Sequence, residues 1–127
     1  MTDRYAEGLA TRRAVLGDAH VDRALAAADE FTGEFQDLIT RYAWGEIWTR
    51  PGLDRHTRRC ITLALLAAQH CDDELAMHVR AALAGGLTVD EIKEVLLQVA
   101  IYSGVPAANR AFAVAGRAIA EWDGTGT

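Results

Sequence analysis

Only two prolines, Pro51 and Pro106, interrupt 127 residues, and this scarcity constrains the fold more than any other feature. Proline in a helix interior costs about 3 kcal/mol, and most chains place it often enough to limit helix length. Here the intervals between prolines are rich in alanine, the best helix former. The chain therefore reads as all-α, a compact bundle of about six to seven helices.

Apolar spacing and punctuation divide the sequence. A first amphipathic segment runs from about Asp3 to Leu16 and stops at Gly17. A second begins near Asp18 and carries Val21, Leu25 and Ala28. A third starts at Thr32, with Phe35, Leu38, Ile39 and Tyr42 on one stripe, and ends in the aromatic run Tyr42-Ala43-Trp44-Gly45-Glu46-Ile47-Trp48. Arg50-Pro51-Gly52 is a turn by composition, and Asp54 is a suitable N-cap for a fourth helix through residues 61–68. That stretch is apolar all round, which predicts the centre of the core. A fifth helix spans about Asp72 to Ala84, with Gly85-Gly86 as its C-cap. Thr88 and Glu91 form a capping box for a sixth helix, whose buried stripe is Ile92, Val95, Leu96 and Val99. Gly104 closes that helix, Pro106 opens a last one through Phe112 and Ile119, and residues 124–127 read as a loose tail. One domain is expected over 1–127, with N-terminal helices in 1–30 and core helices in about 32–122.

Half of the residues are apolar and 24% are charged, as in an ordinary globular protein. A net charge of −5 and a pI near 5.3 disfavour nucleic acid as a partner. No apolar run reaches the roughly 18 residues of a membrane span, and the N-terminus lacks a signal-peptide pattern, so the expected address is cytoplasmic. Cys60 and Cys71 are the only cysteines. On one continuous helix they would stand about 16 Å apart, too far for a bridge.

No phosphate loop, HExxH motif or zinc-type spacing occurs, so neither metal nor cofactor is expected. Glu74 and His78 lie one turn apart on the fifth helix, a spacing suited to orienting an imidazole for proton transfer, though a surface ion pair is the commoner outcome. Arg55, Arg58 and Arg59 fall in the first turns of the fourth helix, where the macrodipole disfavours cations. An anionic ligand, an acidic stripe or a subunit contact would compensate them. Trp44 and Trp48 suit either a pocket wall or core packing. Cys71 is beside Asp72, Asp73 and Glu74, which oppose thiolate formation.

Several segments together resemble the carboxymuconolactone decarboxylases: residues 4–5 through 17–21, Ile39 to Leu53, Arg58 to Leu66, Glu74 to Ala82, Gly86-Leu87-Thr88, Glu91-Ile92, and Gly104-Val105-Pro106-Ala107-Ala108-Asn109. That family is similar to the alkyl hydroperoxidase D group, and the resemblance implies that group's all-α fold and a homo-oligomer, often a hexamer. Peroxidases of the group carry a CxxC pair four and seven residues before their histidine. Here Cys71 and Glu74 take those places before His78, so the resolving thiol is missing. The resemblance implies a cofactor-free carboxy-lyase acting on 4-carboxymuconolactone, a small lactone dicarboxylate, with His78 as proton donor oriented by Glu74. Arg41, Arg50 and Arg58 would anchor the substrate, and Trp44 and Trp48 would exclude water. A thiol-dependent peroxidase or disulfide reductase, using Cys60 and Cys71, and a non-enzymatic helical scaffold are the alternatives.

Overall fold

The computed structural model describes residues 3–122 and 124, and the described residues are helical without strands. Of the loose tail expected at residues 124–127, all but Gly124 lies outside them. Contacts group the described helices into two compact units, one ending at Asp54 and one beginning at Arg55.

The first unit contains α1 (Arg4–Leu16), α2 (Asp18–Ala27), α3 (Gly33–Ile39) and a π-helix, π1 (Thr40–Ile47), continuing directly from α3. Asp3 caps α1 by accepting from the Tyr5 and Ala6 amides. The aromatic run is thus not the frayed end of an α-helix. Its wider register appears in the Trp48 N–H, which donates to the Ala43 carbonyl five residues back at 2.9 Å. A threonine hydroxyl bonds back by four residues at either end of the segment: Thr40 Oγ1 donates to the Gln36 carbonyl at 2.8 Å and Thr49 Oγ1 to the Gly45 carbonyl at 3.0 Å. Such back-bonding competes with the regular ladder. α1 packs on π1 through two glycines that leave no room for a side chain. A Cβ at Gly8 would overlap the Thr40 carbonyl oxygen, and one at Gly45 would meet the Arg4 carbonyl oxygen.

Beneath this contact Arg12 is 4% exposed. It donates to Thr40 Oγ1 at 3.2 Å and to Gln36 Oε1 at 3.0 Å. Burial away from water lowers its pKa.

The second unit contains α4 (Arg55–Ala68), α5 (Asp72–Ala84), α6 (Val89–Tyr102) and α7 (Val105–Glu121). Leu63, Ala67, Leu75, Val79, Ile92 and Leu96 form the centre of its core, and small residues of α7, Ala111, Ala115 and Ala118, let that helix approach closely. The expectation of an all-round buried α4 needs correction. Leu63 and Ala67 are buried, but Ile61 and Leu65 are 44% and 53% exposed, because α5, α6 and α7 pack on one side of α4.

Both ends expected around residues 85–91 form, with the two glycines dividing the work. Gly86, at φ 104°, takes the left-handed position of a Schellman motif: its N–H donates to the Leu83 carbonyl at 3.2 Å, and the Leu87 N–H to the Ala82 carbonyl at 2.9 Å. Gly85 keeps a negative φ and serves a different purpose, described below. The Thr88–Glu91 capping box is complete in both directions. Gly104 precedes α7, and Pro106 lies in its first turn.

Candidate active site

Two of the expected site residues share α5. Glu74 and His78 stand one turn apart on it, Glu74 exposed and His78 half-buried. The start of α5 is tied to α7: Arg110 donates through Nε to both Asp72 oxygens at 2.8 Å, and its Nη2 lies 2.7 Å from Oδ2. This two-pronged grip lowers the Asp72 pKa.

The arginines at the start of α4 separate into different roles. Arg59 is 5% exposed and donates to the Ala81 carbonyl at 3.1 Å, so a cation disfavoured by its own helix sits against the carbonyl end of α5. Gly85 lacks the Cβ that would come within 2.5–2.8 Å of that guanidinium. Desolvation, followed by repulsion from Arg55, lowers the Arg59 pKa. Arg58 is half-buried on the same helix, and Arg55 is exposed. The sequence marked the electrostatic anomaly of this cluster. It missed Arg59 as the residue resolved structurally, because the partner is a backbone carbonyl 22 positions away.

His56 was passed over as well. Its Nε2 lies 2.7 Å from Glu91 Oε2, which joins α4 to the capping box of α6. Glu91 has a lowered pKa, first from the Thr88 backbone N–H and then, among other contacts, from His56.

Arg41, Trp44, Trp48 and Arg50 belong to the first unit. Trp44 is buried and stacks on Trp48 with ring centroids 5.1 Å apart and planes 23° from parallel, a core contact as much as a wall. Arg41 Nε donates to Asp37 at 2.8 Å, and its guanidinium lies 5.3 Å from the Tyr5 ring centre. It also lines an open cleft of about 580 Å³ with Asp3, Arg4, Glu7, Glu46 and Thr49. Arg4 and Glu46 form an ion pair there. Three carboxylates against two guanidiniums make this cleft a poor receptor for a dianion. Arg50 is exposed beyond π1.

The thiols do not share one continuous helix, as the sequence's separate fourth and fifth helices imply. Cys60 is on α4, Cys71 is the N-cap residue of α5, and both are half-buried thiols outside any disulfide. Among the described residues, no group of three or more His, Cys, Asp and Glu side chains could hold a metal ion. No described helix is long and apolar enough to cross a membrane.

Comparison with known proteins gives concordant matches. Residues 33–117 match the carboxymuconolactone decarboxylase family. A 4-carboxymuconolactone decarboxylase of Acinetobacter baylyi is 49% identical over 112 residues, covering 88% of this chain and 84% of that protein. A nitrosuccinic acid decarboxylase of Metarhizium robertsii is 43% identical over 115 residues, covering 91% of this chain and 80% of the other. A Pseudomonas putida sequence also named 4-carboxymuconolactone decarboxylase is 60% identical over 43 residues, or 34% of this chain and 90% of that sequence.

Proposed function

This chain belongs to the carboxymuconolactone decarboxylase family, and from that premise we propose that it converts 4-carboxymuconolactone to β-ketoadipate enol-lactone and CO2, in the protocatechuate branch of aromatic-acid breakdown. The observation that carries this reading is the 49% identity, sustained over most of both chains, to a decarboxylase of that name.

The substrate supplies its own electron sink. Cleavage of the bond to the departing carboxylate releases CO2 and leaves the electron pair on a ring carbon conjugated through C=C to the lactone carbonyl. The charge spreads to the carbonyl oxygen as a dienolate. One proton delivered to the carbon beside that carbonyl shifts the double bond and completes the enol-lactone. The protein has three tasks: to hold a dianion, to stabilise the charge arriving on oxygen, and to deliver that proton.

His78 is the proposed donor. Imidazole is the side chain best matched to proton transfer near neutral pH, and Glu74, one turn earlier on the same face, is the proposed group that orients it. Arg58 is the proposed anchor for the acetate arm. Arg50 is proposed as a further contact to the arm or the lactone oxygen, Arg41 as another made outside the acidic cleft that it lines, and Trp44 and Trp48 as residues that exclude water. A clamp on the departing carboxylate would stabilise the ground state, so the cations serve the arm that stays.

The second decarboxylase relative supports that choice. Nitrosuccinate and 4-carboxymuconolactone share a CH2–carboxylate arm on the carbon that loses CO2, joined to an electron acceptor, and differ in the acceptor. Homo-oligomeric assembly and a cytoplasmic address are parts of the same proposal. The test is competition between the two substrates at equal concentration, following CO2 and each organic product by NMR. The lactone should be turned over with the larger kcat/KM. Turnover of nitrosuccinate alone would transfer the reading to the nitro acid, and turnover of neither would remove it.

A further inference from the structure

Glycine at position 116 has no packing reason within its own chain. It lies in the interior of α7, among Ala113, Ala115, Ala118 and Ala120, where alanine is the more stable choice for a helix. A Cβ added there would meet no atom within 4 Å, unlike one at Gly8, Gly45 or Gly85. What the missing side chain leaves is a cavity of about 160 Å³ in the seam between α6 and α7. Ile92 and Leu96 of α6 and Ala115 of α7, each 2% exposed or less, form its floor. Phe112 and Lys93 stand with Gly116 at its open side.

We propose that this cavity binds a monocyclic aromatic carboxylate, with the ring in the seam and the carboxylate on Lys93. Size sets the first limit. A cavity of roughly 150 Å³ walled by Leu, Ile and Phe stays dry and takes up benzene, so the seam has room for a single ring. Shape sets the second. Without a Cβ at position 116 the α7 backbone is a flat wall against which a planar ring can lie, and Phe112 adds an aromatic neighbour of the kind that ring pairs favour beyond area burial.

Charge sets the third. Among the described residues Lys93 is the one charged side chain that lines the cavity. Its ammonium lies 3.5 Å from Asp90 Oδ1, with the two side chains 54% and 88% exposed, a surface pair of little energetic weight. The ammonium is therefore available to a carboxylate at the rim, while its apolar stem covers the wall. A ring carrying a cation would meet Lys93 as a like charge. None of the residues proposed for decarboxylation lines the cavity, so a binding test here is independent of that reaction.

Benzoate is the probe, with benzyl alcohol as its uncharged counterpart. The readout is the methyl resonances of Ile92 and Leu96 in the full chain, followed by two-dimensional NMR during titration. Benzoate should shift both saturably. Gly116→Leu fills the cavity, and should keep the helical circular dichroism while weakening benzoate about tenfold or more. Gly116→Ala should raise the denaturation midpoint and yet weaken benzoate, opposite signs that a glycine without a ligand would not give. Lys93→Gln should weaken benzoate about threefold and leave benzyl alcohol unchanged, whereas Asp90→Asn, which removes the competing carboxylate, should tighten benzoate. Absence of saturable shifts overturns the proposal, including the case in which another chain already fills the seam. Undiminished benzoate affinity in Gly116→Leu, or equal weakening of benzoate and benzyl alcohol in Lys93→Gln, overturns it as well.

Discussion

An imidazole at position 78, half-buried on α5 one turn after Glu74, is the group on which turnover should depend most. Glutamine keeps a polar side chain there but cannot carry a proton. His78→Gln should lower kcat by roughly 100-fold or more, the usual scale for losing a general acid, with substrate affinity nearly retained. Glu74→Gln should be milder, since it removes an orienting group and not the donor. Single-turnover rates separate these effects from product release, and a near-normal rate for His78→Gln would mean that the proton comes from elsewhere. Arg58→Gln should raise KM more than it lowers kcat if its contact is to the arm that stays, and an unchanged KM would free it from that role. The Glu74–His78 pair was legible in the sequence because a spacing of four on a helix fixes a shared face. The sorting of the arginines was not. Arg59 answers to a carbonyl on another helix, and Arg12 to a hydroxyl and an amide oxygen, partners that carry no charge and leave no periodic trace.

Helix ends were the best-read elements and the π-helix the worst. Caps are written in local residues, and so Gly17, Thr88 with Glu91, Gly86 and Pro106 each announced the end they make. The widened register of Thr40–Ile47 is accompanied by backbone-close packing of Gly8 and Gly45, a tertiary contact that periodicity does not encode. Between elements, Arg59 and Gly85 should be coupled. Arg59→Ala should lower stability by about 2 kcal/mol through loss of a buried charged hydrogen bond. Gly85→Ala should also destabilise by displacing the guanidinium, yet cost little in the Arg59→Ala background, because Gly85 has a φ that alanine accepts. Additive costs in denaturant titrations would rule out this coupling. Two carboxylates tie helices together, Asp72 to Arg110 and Glu91 to His56, and both have folded pKa values below their ordinary ones. Depressed values mean that their stabilisation is complete above the unfolded pKa, about 4, and is lost as pH falls through the folded values. The denaturation midpoint should therefore decline in that acid window. The decline should be shallower in Asp72→Asn and Glu91→Gln, and equal slopes in wild type and variants would refute the assignment.

For the whole chain, the scarcity of proline and the abundance of alanine predicted an all-helical protein, and the described residues are helical throughout their regular elements. Sequence pattern was less informative about which apolar faces meet. The stripe of Phe35, Leu38 and Tyr42 was readable as a stripe, but its exposure was not, since a periodic face is the same string whether it meets its own chain or another. The same ambiguity explains the overestimated burial of α4. Family membership and the glutamate at position 74, where peroxidases of the related group carry a thiol, support the proposed decarboxylation, which on this account requires no thiol, metal or nucleotide. The most direct measurement is CO2 release and enol-lactone formation when the purified Cys60→Ser, Cys71→Ser protein is mixed with 4-carboxymuconolactone in the presence of a chelator. Stoichiometric CO2 and enol-lactone at the wild-type rate are the predicted result. Loss of turnover in a correctly folded protein, or a requirement for metal, would contradict it.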